Sequence, residues 1–157
     1  MAKRYWLFKS EPSAYSFDDL VEDGVAEWDG VRNYQARNLL RDDIKEGDGI
    51  LFYHSSTKPL AVIGTAVVVR NGYPDSTAWD PKSEHPDPKS TPENPIWYMV
   101  DIKATTRFLR PVTRDMLKST PDLKDMMVLR RGARLSIQPV TLQEWDTVMQ
   151  MGNTPAA

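Results

Sequence analysis

The sequence predicts an α+β fold built on a small, strongly curved β-sheet or barrel with short flanking helices. Three observations carry this expectation. Strand-like segments stand near both ends and in the middle of the chain. The candidate helices between them are short. No regular strand–helix–strand alternation occurs, which disfavours a parallel doubly wound sheet. At 157 residues, without a linker or internal repeat, the chain is expected to form one domain over residues 1–157.

Tyr5 to Lys9 reads as a first strand, rich in aromatics and ended by Ser10-Glu11-Pro12. Ser16 is a candidate N-cap for a short helix, with Asp19 as its capping-box partner and Gly24 as its stop. Residues 33–40 carry Tyr34, Ala36, Leu39 and Leu40 at partly helical spacing, so a short helix is placed there. Ile50 to His54 is a second strand after the turn Lys45 to Gly49. Leu60 to Val69 is almost wholly apolar and β-branched, which suits a central strand, with Gly64 marking a bulge or a close approach. Residues 72–95 hold six of the twelve prolines and no periodicity, so they read as a long loop. Loops of that length in compact domains are often functional. Ile96 to Ile102 is a further strand running toward Phe108. Thr113 caps a helix to Ser119. A second short helix is expected over 123–131, stopped by Gly132. Leu135 to Gln138 alternates as a last strand. Thr141 and Glu144 form a capping box for a closing helix to Met149.

The composition, 40% apolar and 27% charged, is that of a globular protein. No apolar run approaches a membrane span, and the N-terminus is too short and polar for a signal peptide, so no membrane partner is expected and the cytoplasm is the expected compartment. There is no cysteine, which excludes disulfides and thiolate zinc sites. The two histidines, His54 and His85, lack metal-ligand spacing, so neither metal nor cofactor is expected. No glycine-rich phosphate loop or nucleophile elbow is present; Glu46-Gly47-Asp48-Gly49 carries two acids that would repel phosphate. A monomer is expected, with a weak dimer as the alternative.

Net charge is −2, which argues against a non-specific polyanion binder, but the charge is uneven. Residues 1–49 hold seven Lys/Arg and eleven Asp/Glu, a balance of −4; residues 103–134 hold nine and three, a balance of +6. If the basic group gathers on one face, that face can follow a phosphate backbone. The block Trp28 to Asn38 mixes two large aromatics, two arginines, two asparagines and a glutamine around Gly30. Aromatic faces beside planar hydrogen-bonding groups suit a nucleobase. Core packing is the competing reading for Trp28 and Tyr34. His54 at a strand end reads either as a group aimed at a ligand or as one bonded to a neighbouring loop. Arg130-Arg131-Gly132-Ala133-Arg134 reads as a phosphate site or as the basic end of a helix.

These residues form a pattern. Tyr5-Trp6-Leu7, Lys9-Ser10-Glu11-Pro12, the Trp28–Asn38 block, Gly47-Asp48 and Phe52-Tyr53-His54-Ser55 stand in order. Tyr73-Pro74-Asp75, Asp87-Pro88-Lys89-Ser90, Arg110-Pro111-Val112, Leu129-Arg130-Arg131-Gly132 and Arg134 to Val140 follow. The chain resembles the EVE domain family across nearly its whole length. That resemblance implies a PUA-like fold, a small β-barrel with flanking helices related to YTH and ASCH domains. It also implies a non-catalytic pocket for a flipped-out, modified base. A 5-methylcytosine-like base in DNA is the leading partner, and a modified RNA base the alternative. Ser10, Trp28, Asn33, Tyr34, His54 and Ser55 fall in motif positions associated with that pocket. By chemistry, Trp28 is assigned the stacking role, Asn33 and Ser10 the base edge, and Arg32 or Arg130 the phosphate contacts, with Arg131 counted among the nucleic-acid-binding residues. Family members often carry aromatics before Asp87-Pro88-Lys89-Ser90; here the segment is Ser83-Glu84-His85-Pro86, so a different rim is expected if that loop closes the pocket. An enzyme acting on a modified nucleotide through His54, or a small-ligand or protein adaptor on the same fold, are the alternatives.

Overall fold

The computed structural model describes residues 3–154. Six strands form one mixed sheet: β1 (Tyr5–Ser10), β2 (Val25–Glu27), β3 (Gly49–His54), β4 (Ala61–Pro74), β5 (Tyr98–Thr113) and β6 (Ile137–Val140), in the order β2-β5-β4-β3-β1-β6. β1 runs parallel to β3, with Phe8 opposite Phe52 and Ser10 opposite His54; the other neighbours are antiparallel. Four α-helices flank it: α1 (Phe17–Asp23), α2 (Tyr34–Asn38), α3 (Arg114–Lys118) and α4 (Leu142–Gly152).

Both faces of the central strands are covered, and the side-chain alternation of β1 and β3 says how. Trp6, Phe8, Ile50 and Phe52 point into one core, completed by Phe17 and Leu20 of α1 and Ala36 of α2. Leu7, Leu51 and Tyr53 point into the other, completed by Leu117 of α3 and Val148 of α4. Every one of these side chains is essentially buried, each Leu, Ile, Val and Phe contributing about 1.5–3 kcal/mol relative to exposure. Two-sided burial explains why β3 and the start of β4 read as near-continuous apolar runs.

The sheet curls strongly. Although β2 and β1 are separated by three strands, Trp28, just past β2, lies 5.5 Å from the Phe8 ring and 5.7 Å from the Phe52 ring. The curl is aided by register shifts between β4 and β5, one of them at Gly64. A Cβ there would lie 2.3 Å from the Thr106 carbonyl oxygen, so only glycine permits the approach. Among the described residues β2 and β6 remain edges, so the curved sheet stops short of the closed barrel that the resemblance implies.

The capping boxes at Ser16/Asp19 and Thr141/Glu144 form as expected, as does the Thr113 cap. Residues 123–131, expected to be helical, instead hold parts of two short 3-10 turns, Pro121–Leu123 and Met127–Leu129; Leu123, Met126 and Val128 still reach the core. The last strand begins at Ile137 rather than Leu135 and includes Pro139, which an edge strand tolerates because no ladder donor is needed there. The long loop begins later than expected, because β4 continues to Pro74. β2 was not foreseen; three residues are too few to show a period.

One buried acid ties the first strand to the turn before β3. Asp48 is 4% exposed and accepts from Arg4 N at 3.1 Å, Trp6 Nε1 at 3.0 Å and Lys45 N at 3.0 Å. Replacing it with Ala strands three donors, so Asp48→Ala is expected to cost about 3 kcal/mol or more in urea unfolding, and Asp48→Asn less because one acceptor survives. Equal costs for the two variants would contradict this role.

Candidate nucleic-acid interface

β1 ends at Ser10, and the chain folds back immediately. The amides of Ala14 and Tyr15 donate to the Glu11 carbonyl, and the Ser10 hydroxyl donates to the Tyr15 carbonyl at 2.5 Å. This turn sets Tyr15 edge-on to Trp28, with ring centres 6.0 Å apart. Trp28 is itself fixed. Its N–H donates to the Val100 carbonyl at 2.8 Å, extending the β2–β5 ladder by one residue, and its indole rests on Phe8 and Phe52.

Between these elements lies a cavity of about 600 Å³, within the size range of small-ligand sites. Trp28 and Tyr15 give it aromatic walls, Lys9 and Ser10 line one side, Val25 and Ala26 another, and Glu84 with His85 form its rim. Glu11, Asp23, Glu27, Asp29 and Glu84 all face it, against Lys9 and His85. Such a lining repels phosphate and accepts hydrogen bonds from a neutral base. A second cavity, of about 550 Å³, lies between Ser56–Leu60 and Thr113–Asp115 and has no aromatic wall.

The rim is held by Asp75, whose side chain is fully buried. Asp75 accepts from Gly30 N at 2.8 Å, from Arg32 Nη1 at 3.0 Å, and from Thr77 N and Oγ1 at 2.9 and 2.5 Å. Burial opposes its ionisation, but the bonds from Thr77, Gly30 and Arg32 outweigh that and hold the carboxyl below the usual range. Arg32 also donates through Nε and Nη2 to the His85 carbonyl, at 3.2 and 2.6 Å, which binds the long loop to the Trp28 block. Gly30 has φ +77°, and a Cβ there would meet the His85 ring at 2.8 Å. Glycine is thus required for both backbone and space.

Outside the rim a smaller groove, of about 360 Å³, joins Asn33 and Gln35 to Gly132, Ala133 and Arg134. Lys9 links the two sites: it lines the cavity and its Nζ donates to the Ala133 carbonyl at 3.3 Å. Burial, with Arg114 nearby, lowers the Lys9 pKa.

The EVE domain model matches residues 4–151. The chain belongs to the EVE domain family. A hypothetical protein from Leishmania major has a structure 45% identical to this chain, with a TM-score of 0.90, covering 96% of this chain and 95% of that one. Human THYN1, solved in complex with DNA containing 5-methylcytosine, is 36% identical with a TM-score of 0.89, covering 98% and 100%. Chicken thymocyte nuclear protein 1 is 40% identical over 166 residues, covering 94% of this chain and 68% of its own length. These matches carry the PUA-like fold class over to this chain.

Within this EVE domain the structure divides the residues singled out in the sequence. Ser10 and Trp28 line the cavity. Asn33 does not; it is the N-cap of α2, accepting from Ala36 N at 3.0 Å, and faces the outer groove. Tyr34 is 58% exposed outside the cavity, stacked 4.9 Å from Trp97. Arg32 has five donor contacts for its five guanidinium N–H groups, all within the protein, which leaves it as a clamp rather than a phosphate ligand. Ser55 donates its backbone N–H to the Ser10 carbonyl at 2.9 Å and does not line the cavity. Arg130 and Arg131 are exposed next to Gly132 of the outer groove; the Arg130 guanidinium donates to the Asp125 carbonyl at 3.5 Å. Sequence reasoning missed Tyr15 and Asp29, whereas the Ser83–Pro86 segment, expected to alter the rim, lines the cavity through Glu84 and His85. Asp29 had a signal, its place directly after Trp28; Tyr15 had none, since its contact with Trp28 is made only by folding. Among the described residues no cluster of His, Asp or Glu could hold a metal ion, and no helix is long and apolar enough to cross a membrane.

His54 is a structural acceptor. Its Nε2 accepts from Phe17 N at 3.1 Å, at the start of α1. Burial lowers its pKa, with Asp18 opposing and Arg107 adding to the shift. The folded state therefore resists protonation more than the unfolded chain. Its contribution is whole above the unfolded value of about 6.5 and is lost as pH falls through the lower folded value. Denaturant unfolding at a series of pH values is expected to show stability falling below pH ~6.5, with a shallower decline in His54→Gln. An unchanged slope in that variant would exclude this role.

Proposed function

We propose that this EVE domain is a non-catalytic reader of a modified base, taken out of its nucleic-acid stack into the Trp28 cavity. A 5-methylcytosine-like base in DNA is the leading partner, and a modified RNA base the second. The observation that carries the reading is the pairing of an aromatic-walled, phosphate-repelling cavity with an arginine-bearing groove just outside it. The cavity suits the base and the groove suits the backbone. The THYN1 complex with 5-methylcytosine DNA, at 36% identity over nearly the whole chain, supports the same assignment.

Energetics favour this division. Extruding a base costs a few kcal/mol, and stacking on one aromatic returns roughly 1–3 kcal/mol whatever the base. Phosphate contacts from Arg130, Arg131 and Arg134 supply sequence-independent affinity. Selectivity then rests on the base edge and on room for the modifying group, where a methyl contributes about 1–3 kcal/mol. The acid–base reading of His54 gains no support, since that side chain lies at the α1 terminus rather than on the cavity wall.

Fluorescence polarisation with duplexes carrying one central 5-methylcytosine or cytosine tests the proposal. Trp28→Ala is expected to weaken binding to the modified duplex by roughly ten- to a hundredfold. The double change Arg130→Ala with Arg131→Ala should instead weaken both duplexes equally and flatten the salt dependence by about two units of slope. Circular dichroism melting separates loss of fold from loss of site. Unchanged affinity in a folded Trp28→Ala protein would rule out the cavity.

A further inference from the structure

Within the reading that the Trp28 cavity takes a base, we infer that Asp29 and His85 read the base edge and select an amino-bearing pyrimidine over its keto counterpart. Asp29, like Trp28, lines the cavity, so its carboxylate stands at the same site as the proposed stacking surface. Its backbone is fixed on both sides: Trp28 N binds the Val100 carbonyl, Asp29 N binds the Glu27 carbonyl at 3.0 Å, and Gly30 N binds Asp75.

The other acids on the cavity are engaged or outlying. Asp23 accepts from the Tyr15 hydroxyl at 2.7 Å, Glu27 from the Tyr73 hydroxyl at 3.2 Å, and Glu11 from Ser56 Oγ at 3.4 Å. Glu84, exposed like Asp29, stands on the long loop rather than beside the Trp28 backbone. The Asp29 side chain is 38% exposed, and His85 Nε2 stands 3.7 Å from its carboxylate. That separation is longer than a hydrogen bond, so both groups keep capacity for a ligand. Burial and the neighbouring charge of Asp75 push the Asp29 carboxyl up, with His85 pulling it down. A partly desolvated carboxylate gains from a neutral N–H donor.

A cytosine-type edge offers what this pair requires. Its exocyclic amine donates to the Asp29 carboxylate, and its ring nitrogen or carbonyl accepts from His85 N–H. Thymine carries the same 5-methyl group but a keto oxygen where the amine stands, which would face the Asp29 carboxylate lone pair to lone pair. The packing of His85 over Gly30 holds its ring at this rim.

The test compares duplexes with 5-methylcytosine or thymine opposite an abasic site, which removes the difference in pairing cost. Wild type is expected to bind the 5-methylcytosine duplex roughly tenfold more tightly or better. Asp29→Asn, whose amide can donate to a keto oxygen, should bring the two within about threefold or invert them, with unchanged salt dependence and melting temperature. A tenfold preference that survives in Asp29→Asn overturns the Asp29 assignment and leaves the cavity reading intact. Equal binding of both duplexes by wild type does the same. Failure of wild type to bind either duplex overturns the base-reading function itself, and this assignment with it.

Discussion

The site depends on one buried carboxylate. Asp75 stands at the end of β4, where a long sheet strand gives way to the proline-rich loop, and it gathers donors from both partners it must join. Gly30 and Arg32 come from the block after β2, and Thr77 from the loop's first turn. A buried charge left without partners costs several kcal/mol, so the two segments are held together by the penalty of separating them as much as by the bonds themselves. Arg32 carries the connection onward to His85. Without this network Trp28 would still pack on Phe8 and Phe52, but the cavity beside it would lose its rim.

The second organising feature is a separation of charge. The cavity collects carboxylates, and the groove beyond it carries Arg134, with the exposed Arg130 and Arg131 next to it in sequence and Lys9 between the two sites. In a slightly acidic protein this arrangement solves a specific problem. A basic cavity would attract phosphate and compete with the base, whereas an acidic one rejects phosphate and leaves it to the outer arginines. Affinity and discrimination are thereby assigned to different surfaces, and each can vary without the other. Glu84 and His85 at the rim fit this scheme, since they supply polar groups beside the Trp28 wall.

Most of the sheet was legible in the sequence because its strands are aromatic or β-branched and its helices carry explicit caps. Ser16/Asp19, Thr113 and Thr141/Glu144 announce their helices by local chemistry alone. The region 123–131 was misread because Leu123, Met126 and Val128 have near-helical spacing, yet Leu123 anchors one short turn onto the core while Met126 and Val128 anchor a second. The site was only partly legible. Trp28 and Ser10 lie where the sequence put them, but Asn33, Tyr34 and Arg32 share a polar–aromatic character that serves a cap, an outer stack and a clamp. Local composition does not separate a group offered to a ligand from one consumed by the fold. For Arg32 and Tyr34 that distinction depends on contacts to Asp75, His85 and Trp97, all more than forty residues away.

The central claim is that the modified base enters the cavity beside Trp28, and photochemical cross-linking tests it most directly. An oligonucleotide with 5-iodocytosine places a photoreactive atom where the 5-methyl group would lie, and mass spectrometry of the irradiated complex identifies the residue it joins. Attachment to Trp28 or Tyr15 is the predicted result. Attachment confined to Tyr34 or Trp97, on the outer face, would contradict the account.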